Sequence, residues 1–301
     1  MNNVSLVSLY INGEVFMYPE QIYNSEELSL DNIEKFNLYF ICNINKLRVI
    51  NIDNSTYTIE IWDENKGKSY LIKITELDFF KECKLIIESI EKCENDKYIN
   101  IKFEQNDTLV KIPTYDLIMY NGLNDNIQDE FDFEVLYIGQ SKGRIQKRNA
   151  IDRLKNHKTL QKIMITNDDN KDKIICLFSC SNKVYSEYES LTFNMPPLAL
   201  TKEQTIDIVE SGLINYFKPK YNEVFKSGNF PQSKLKTHKS LYTNSYLAVI
   251  MEIDFQNYSI NFKGHHTLSR QDRFIHAKWL KEFNGDSFFV KDIVEIFSDK
   301  E

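Results

Sequence analysis

Four short runs in the first 112 residues, LRVINI, YTIEIW, YLIKI and YINIKF, are rich in β-branched and aromatic residues and are parted by polar turns. Side chains of this kind suit a pleated, half-buried surface, which constrains this stretch to strands. YINGEVFMY carries an Asn-Gly pair between apolar-rich arms, a pattern that predicts a hairpin. Over residues 79–93, Phe80, Leu85, Ile86 and Ile90 recur at intervals near three to five, which predicts a helix. Residues 1–112 therefore read as a β-rich N-terminal domain with one helix. They announce no chemistry, and a scaffold or recognition role fits them.

The pattern changes from residue 113. TYDLIMYN and FEVLYIG read as two strands around the acidic segment GLNDNIQDE. A basic stretch follows, SKGRIQKRNAIDRLKNHKTLQKIM, helical in its second half, and then KIICLFSC as a buried strand. A loop containing Pro196-Pro197 leads to the helix TKEQTIDIVESGLINYF. Thr201 and Gln204 open that helix in capping-box spacing, and Pro219 stops it. Residues 226–301 begin with a Lys-bearing loop and continue as two strands, SYLAVIMEIDF and YSINF, and a helix over DRFIHAKWLKEF. The expected division is 1–112, 113–225 and 226–301, in a length of 301 residues.

Composition removes several classes. With 42% hydrophobic and 27% charged residues the chain is neither disordered nor extreme, and 9 Gly and 6 Pro exclude collagen-like and linker-rich designs. No apolar run approaches the ~18 residues of a membrane span, and MNNVSLVSLY lacks a basic segment followed by an apolar one. A cytoplasmic protein with no membrane partner is expected. The five cysteines, Cys42, Cys83, Cys93, Cys176 and Cys180, are scattered and odd in number, so buried free thiols are expected rather than disulfides or zinc. The net charge of -7 hides a split. Residues 1–134 carry 12 Lys+Arg against 25 Asp+Glu, and residues 135–301 carry 25 against 19. The charge belongs to the halves, so the acidic average does not argue against a nucleic-acid partner.

Four features of the middle region bear on chemistry. Tyr137-Ile138-Gly139 ends a strand. Arg153 and His157 are four residues apart and share a helix face, where an Arg offers a phosphate two parallel hydrogen bonds; the same pair also suits a plain exposed basic helix. Glu210 lies on the same face as Ile206, Leu213 and Phe217. A carboxylate there must be protonated, ion-paired or bound to a cation, and either an Arg or a hard ion such as Mg²⁺ would serve. Lys218-Pro219-Lys220-Tyr221-Asn222 follows directly and could be simple helix termination. His265-His266 is a weak metal-like doublet. P-loop, G-x-G-x-x-G and G-x-S-x-G signatures are absent from the sequence.

Taken together, these residues resemble the GIY-YIG nuclease superfamily. Tyr137-Ile138-Gly139 is the YIG half-motif, Arg153 and His157 match the family's helix arginine and the His or Tyr one turn on. Glu210, Leu213, Ile214, Pro219 and Asn222 match its metal-binding glutamate and the pattern that follows. The resemblance covers about 110 of the 301 residues. Gly-Ile-Tyr is absent as written. Ile118-Met119-Tyr120 is the best substitute, with residues 121–134 an inserted loop, and Tyr115 is a weaker one. The resemblance implies an α+β fold with a small, mainly antiparallel sheet flanked by helices, preceded by the β-rich N-terminal domain.

It further implies a divalent-metal-dependent phosphodiesterase, an endonuclease using Mg²⁺ or Mn²⁺ on DNA, in restriction, defence or repair. Glu210 would hold the metal and Arg153 would stabilise transition-state charge. His157 would orient groups or shuttle a proton, Asn222 would buttress the site, and Tyr137 or Tyr120 would act as base. The basic run Lys142, Arg144, Lys147, Arg148, Arg153, Lys155, Lys158 and Lys162, broken only by Asp152, independently suits a phosphate backbone, with Lys226, Lys234, Lys236 and Lys239 extending the track. The alternative is a catalytically inactive nucleic-acid-binding module of the same kind. A third reading makes the acidic N-terminal domain a protein-partner surface.

Overall fold

The computed structural model describes residues 4–23, 35–77, 80–81, 85–93, 95–121, 131–141, 150–166, 170–187, 199–228, 230–232, 234–236, 238–244, 246–254, 260–264 and 273–279. Its strands in chain order are β1 (Val4–Met17), β2 (Leu38–Ile44), β3 (Leu47–Asp53), β4 (Thr58–Asp63), β5 (Lys68–Lys73), β6 (Ile87–Lys92), β7 (Tyr98–Phe103), β8 (Asn106–Pro113), β9 (Phe131–Gln140), β10 (Asp172–Glu187), β11 (Ala248–Asp254), β12 (Ile260–Lys263) and β13 (Arg273–Trp279). The helices are α1 (Thr114–Asn121), α2 (Ala150–Lys155), α3 (Lys158–Thr166), α4 (Lys202–Phe217) and α5 (Lys239–Thr243). The class is mixed α and β, dominated by sheet. Among the described residues no helix is long and apolar enough to cross a membrane.

Seven strands form the main sheet, in the order β12-β9-β2-β10-β1-β11-β13. Its centre is legible in β2, LYFICNI, whose seven residues are all buried, and in Ile174–Phe178 of β10, also buried throughout. Continuous apolar runs of this kind belong to strands covered on both faces. On one face α2 and α3 pack Ile151, Leu154, Leu160 and Ile163 against Tyr39, Ile41, Leu136, Ile175 and Leu177. The other face is covered by α4, whose Ile206, Val209, Leu213 and Phe217 join Phe40, Phe178 and Phe262. The Phe40 ring centroid is 5.0 Å from that of Phe178, 5.2 Å from Phe262 and 6.1 Å from Phe217. Each ring so buried contributes about 2–3 kcal/mol.

Between β2 and β9 the chain makes a long detour. It builds two three-stranded antiparallel meanders, β3-β4-β5 and β6-β7-β8, and then α1. β4 alternates strictly between buried and half-buried positions, as expected of a strand with one face on a core. The meanders are tied to the main sheet by charge. Arg48 of β3 donates two hydrogen bonds to Asp172 at the start of β10, at 2.5 and 3.1 Å, and Lys97 lies 3.2 Å from the same carboxylate. Burial works to raise the pKa of Asp172, but the Arg48 hydrogen bonds and the Lys97 charge outweigh it and hold the carboxyl below its usual range.

Several sequence expectations change. β1 and β2 lie in the same sheet as β9, β10, β11 and β13, so the expected boundaries at 112 and 225 cut across one sheet rather than between units. That sheet is larger than the small one expected, and two of its pairings, β1 with β11 and β12 with β9, are parallel. TYDLIMYN is the helix α1, not a strand. The expected hairpin at Asn12-Gly13 is one strand with a bulge, since the register with β10 slips between Asn12 and Val15. Residues 87–92 of the expected 79–93 helix are the strand β6, and residues 273–279 of the expected C-terminal helix are the strand β13. Cys42, Cys176 and Cys180 are buried free thiols and Cys93 is half-buried. Cys83 lies outside the described residues.

Candidate active site

The strand carrying Tyr137-Ile138-Gly139 is β9, and its antiparallel partner is β2. The register sets Tyr39 opposite Gly139, Phe40 opposite Ile138 and Ile41 opposite Tyr137. Tyr39 thus occupies the place that the sequence reading assigned to Tyr120. Tyr120 instead belongs to α1, off the main sheet, and its substitute Tyr115 is fully buried, donating its hydroxyl to the Phe16 carbonyl at 2.8 Å. Both are corrected: neither sits on a strand beside β9.

Two backbone features aim the phenols. Between Ile41 and Cys42 the register with β9 slips by one residue. This bulge leaves Leu136 and Tyr137, neighbours in sequence, packed into the same cluster beneath α2 and α3. Leu136 fills the core while Tyr137 sits partly exposed beside it. Gly139 provides the second feature. A Cβ there would fall 2.5 Å from the Tyr39 hydroxyl oxygen and 2.7 Å from Tyr137 Cε1, so any side chain would displace the phenols.

Three rings meet above this pair of strands. The Tyr39 and Tyr137 centroids are 6.2 Å apart, and the His157 ring lies 5.7 Å from Tyr39 and 5.0 Å from Tyr137. His157 ends the turn between α2 and α3, and its Nδ1 accepts the Leu160 backbone N–H at 3.2 Å, capping α3. With Nδ1 so used, a neutral ring carries its proton on Nε2. Burial, helped by the Arg153 charge, pushes His157 down to about 4, so it is neutral at physiological pH. Arg153, exposed on α2, lines with His157, Asn156, Lys158 and Ser141 an open cleft of about 430 Å³.

Glu210 approaches from α4, on the opposite face, at the same end of the strands. Gln140, the last residue of β9, donates from Nε2 to Glu210 Oε2 at 2.6 Å and to Asp207 Oδ1 at 2.9 Å. Burial raises the pKa of Tyr39, and beyond that Arg153 lowers it while Tyr137 and Glu210 raise it. Burial and then Glu210 likewise raise Tyr137, against Arg153 and Tyr39. Glu210, Arg153 and both phenols therefore share one electrostatic neighbourhood. Both phenols are held protonated.

Asn222 closes the edge of β9. Among the described residues β12 pairs with β9 only as far as Glu134, and no strand flanks Ile138 on that side. The Asn222 amide supplies both missing bonds: Oδ1 accepts from Ile138 N at 2.9 Å and Nδ2 donates to Ile138 O at 2.8 Å. Its loop is set by α4. Thr201 and Gln204 form the predicted capping box at the helix start, and Lys218, in left-handed conformation, ends the helix before Pro219.

Of the candidate residues, Tyr137, Arg153 and His157 gather with Tyr39, which the sequence reading missed; Glu210 stands on the other face at the same strand end, within electrostatic reach of both phenols, and Asn222 braces β9. Lys155 is half-buried and Lys158 exposed beside the cleft. Lys142, Arg144, Lys147 and Arg148 lie outside the described residues, as do His265 and His266. Among the described residues, five buried side-chain polar atoms have no hydrogen-bond partner: Asn37 Oδ1, Tyr39 Oη, Gln140 Oε1, Asp132 Oδ1 and Ser240 Oγ. Asn37, Tyr39 and Gln140 stand at one end of the β2–β9 pair, with Gln140 on the α4 face and Tyr39 on the other. An unmade bond costs about 1–3 kcal/mol, and such a cluster suits a place where a ligand bonds.

No three His, Cys, Asp or Glu side chains gather as a metal cage among the described residues. Glu210 with Asp207 offers carboxylate oxygens alone, a donor set that fits a Mg²⁺-like ion keeping several waters and does not suit zinc. A second pair resembles a nucleophile and its base. Ser211 Oγ and His238 Nε2 are 2.7 Å apart, both buried. But His238 Nδ1 accepts from the Gln232 N–H at 3.0 Å, which leaves the Nε2 proton to be donated to Ser211. That polarity is opposite to the one a base needs, so the pair anchors the 230–238 loop on α4. Compared with family models, characterised proteins and solved structures, the chain matches none.

Proposed function

We propose that this protein is a divalent-metal-dependent phosphodiesterase of GIY-YIG type, an endonuclease acting on DNA. The observation that carries the reading is the pairing of Tyr39 with Gly139, which fills the half-motif missing from the sequence near Tyr137. The order β9-β2-β10, with the Tyr39 strand in the middle and antiparallel to both neighbours, supports it. So does the meeting of an arginine, two phenols, a neutral imidazole and an acid at one strand end.

This reading gives each residue a role. Arg153, exposed at the cleft, binds the scissile phosphate and offsets the charge that grows on its oxygens. His157, with Nδ1 engaged, works as an Nε2–H donor to a phosphate oxygen or to a phenol rather than as a shuttle. Tyr39, held protonated, orients the attacking water, while Tyr137, partly exposed at the cleft, releases its own proton to solvent and as phenolate takes the proton that the water loses. Glu210, with Asp207, holds a Mg²⁺ or Mn²⁺ ion, which when bound supplies positive charge that polarises the phosphate and favours phenol ionisation. Asn222 keeps Ile138, and with it the flanking tyrosine and glycine, at fixed height. Lys155 and Lys158 lie where a DNA backbone would run past the cleft.

The test is cleavage of plasmid DNA by the purified protein in Mg²⁺ or Mn²⁺, alongside Glu210→Ala and Arg153→Ala. Cleavage that each variant reduces by about 100-fold or more is expected. Equal cleavage by all three proteins overturns the assignment. Salt-dependent DNA binding without turnover in any divalent metal favours the inactive binding module instead.

A further inference from the structure

Gln140 was only a neighbour of the half-motif in the sequence, and Asp207 carried no expected role. The structure joins them. Strand alternation turns Gln140 away from the face carrying Tyr39 and toward α4. There one amide nitrogen reaches Glu210 Oε2 at 2.6 Å and Asp207 Oδ1 at 2.9 Å. Asp207 and Glu210 are three residues apart on α4 and so share a face.

We infer that Gln140 is a positioning residue that fixes the Glu210 carboxylate for a divalent cation, with Asp207 bracing the amide from its other hydrogen. The ligand in this inference rests on the nuclease reading above. Three facts carry it. The 2.6 Å bond to Glu210 is short, and a carboxylate held that way loses rotamer freedom that an ion would otherwise have to remove. The Gln140 carbonyl oxygen is buried without a partner, so the two acids alone set the amide's orientation. Finally, the donor is neutral. A lysine here would cancel negative charge, whereas an amide orients two carboxylates without itself neutralising them. Groups that orient a ligand from behind are worth about 10–100-fold in metal affinity.

The experiment is a Mn²⁺ titration of the full chain, with free Mn²⁺ read by electron paramagnetic resonance and DNA cleavage measured at each Mn²⁺ concentration. Glu210→Gln is expected to lose measurable binding. Gln140→Leu is expected to weaken Mn²⁺ binding about 10–100-fold, with cleavage largely restored at saturating Mn²⁺ and an unchanged thermal midpoint. Such restoration separates positioning from a fold defect. Wild-type Mn²⁺ affinity in Gln140→Leu, with binding lost in Glu210→Gln, overturns the positioning role and leaves the nuclease reading standing. Wild-type affinity in Glu210→Gln overturns both. If Gln140→Leu does not fold, Gln140→Met, which keeps the length and removes the donor, is expected to weaken binding by about 10-fold, and unchanged affinity overturns the inference.

Discussion

The twin meanders and the β2–β9 strand end treat polar groups in opposite ways. In the β3-β4-β5 meander, both turns satisfy themselves. Asp53 accepts from the Ser55 and Thr56 side chains, Asp63 accepts from the backbone N–H groups of Asn65 and Lys66, and Arg48 and Lys97 neutralise Asp172. None of the five unpartnered buried atoms falls between residues 45 and 121. At the strand end three such atoms lie across the two faces of the sheet, near the phenols and arginine on one and the acid on the other. Scaffold satisfies its own chemistry, and a site holds some of it open for a ligand.

Two buried tyrosines put this contrast to its hardest test. Tyr39→Phe is expected to slow DNA cleavage by about 10²–10⁴-fold with little change in urea midpoint, because the buried hydroxyl makes no well-formed hydrogen bond within the fold. Tyr115→Phe, which gives up a 2.8 Å bond to Phe16, is expected to cost about 1 kcal/mol and leave the rate per folded molecule unchanged. Similar rates for the two variants would erase the distinction. On the scaffold side, Arg48→Met is expected to destabilise by about 2–3 kcal/mol in urea melts, since Asp172 stays buried with Lys97 alone. Cleavage kinetics should not move.

Glycines sharpen it further. Gly139→Ala is expected to cost about 2 kcal/mol and to depress cleavage, because its Cβ must displace Tyr39. Gly67→Ala, in a meander turn with open space and a φ of +61°, is expected to cost about 1 kcal/mol with no effect on rate. The last effect is in pH. The fold holds His157 at about 4 against an ordinary 6.5, so the unfolded chain binds that proton more readily between those values. The His157 contribution is therefore complete above pH 6.5 and declines as pH falls toward 4. Asp172, whose folded pKa is depressed below 3.8, loses its contribution only at lower pH. Chemical denaturation from pH 7 to 4 should show a slope that His157→Gln reduces and Arg48→Met does not.

Local signals were legible where local physics decides. The α4 capping box, the Arg153–His157 spacing and the β9 run were all visible. α1 was not, because Tyr115, Leu117, Ile118 and Met119 are all buried, and a helix surrounded by core shows no periodicity to read. β6 mimicked a helix for a specific reason. Its register slips between Ile87 and Ser89, so Ile87 and Ile90, three apart, both face inward. Tyr39 was invisible as a site residue because strand pairing is non-local: residues 45–130 intervene, and nothing in the LYFICNI run names its partner. The role of Asn222 became specific only once β12 was seen to stop short of Ile138.

The detour leaves and rejoins the sheet at neighbouring points, since Asn43 of β2 faces Glu134 of β9. Cutting a gene piece at the borders of the recognisable motifs would thus discard the middle strand and one phenol together. The minimal working fragment must draw on both flanks of the excursion. Conversely, a short reverse turn spliced from Ile44 to Phe131 would convert the split arrangement into a contiguous hairpin, with the excursion free to be exchanged as a cassette.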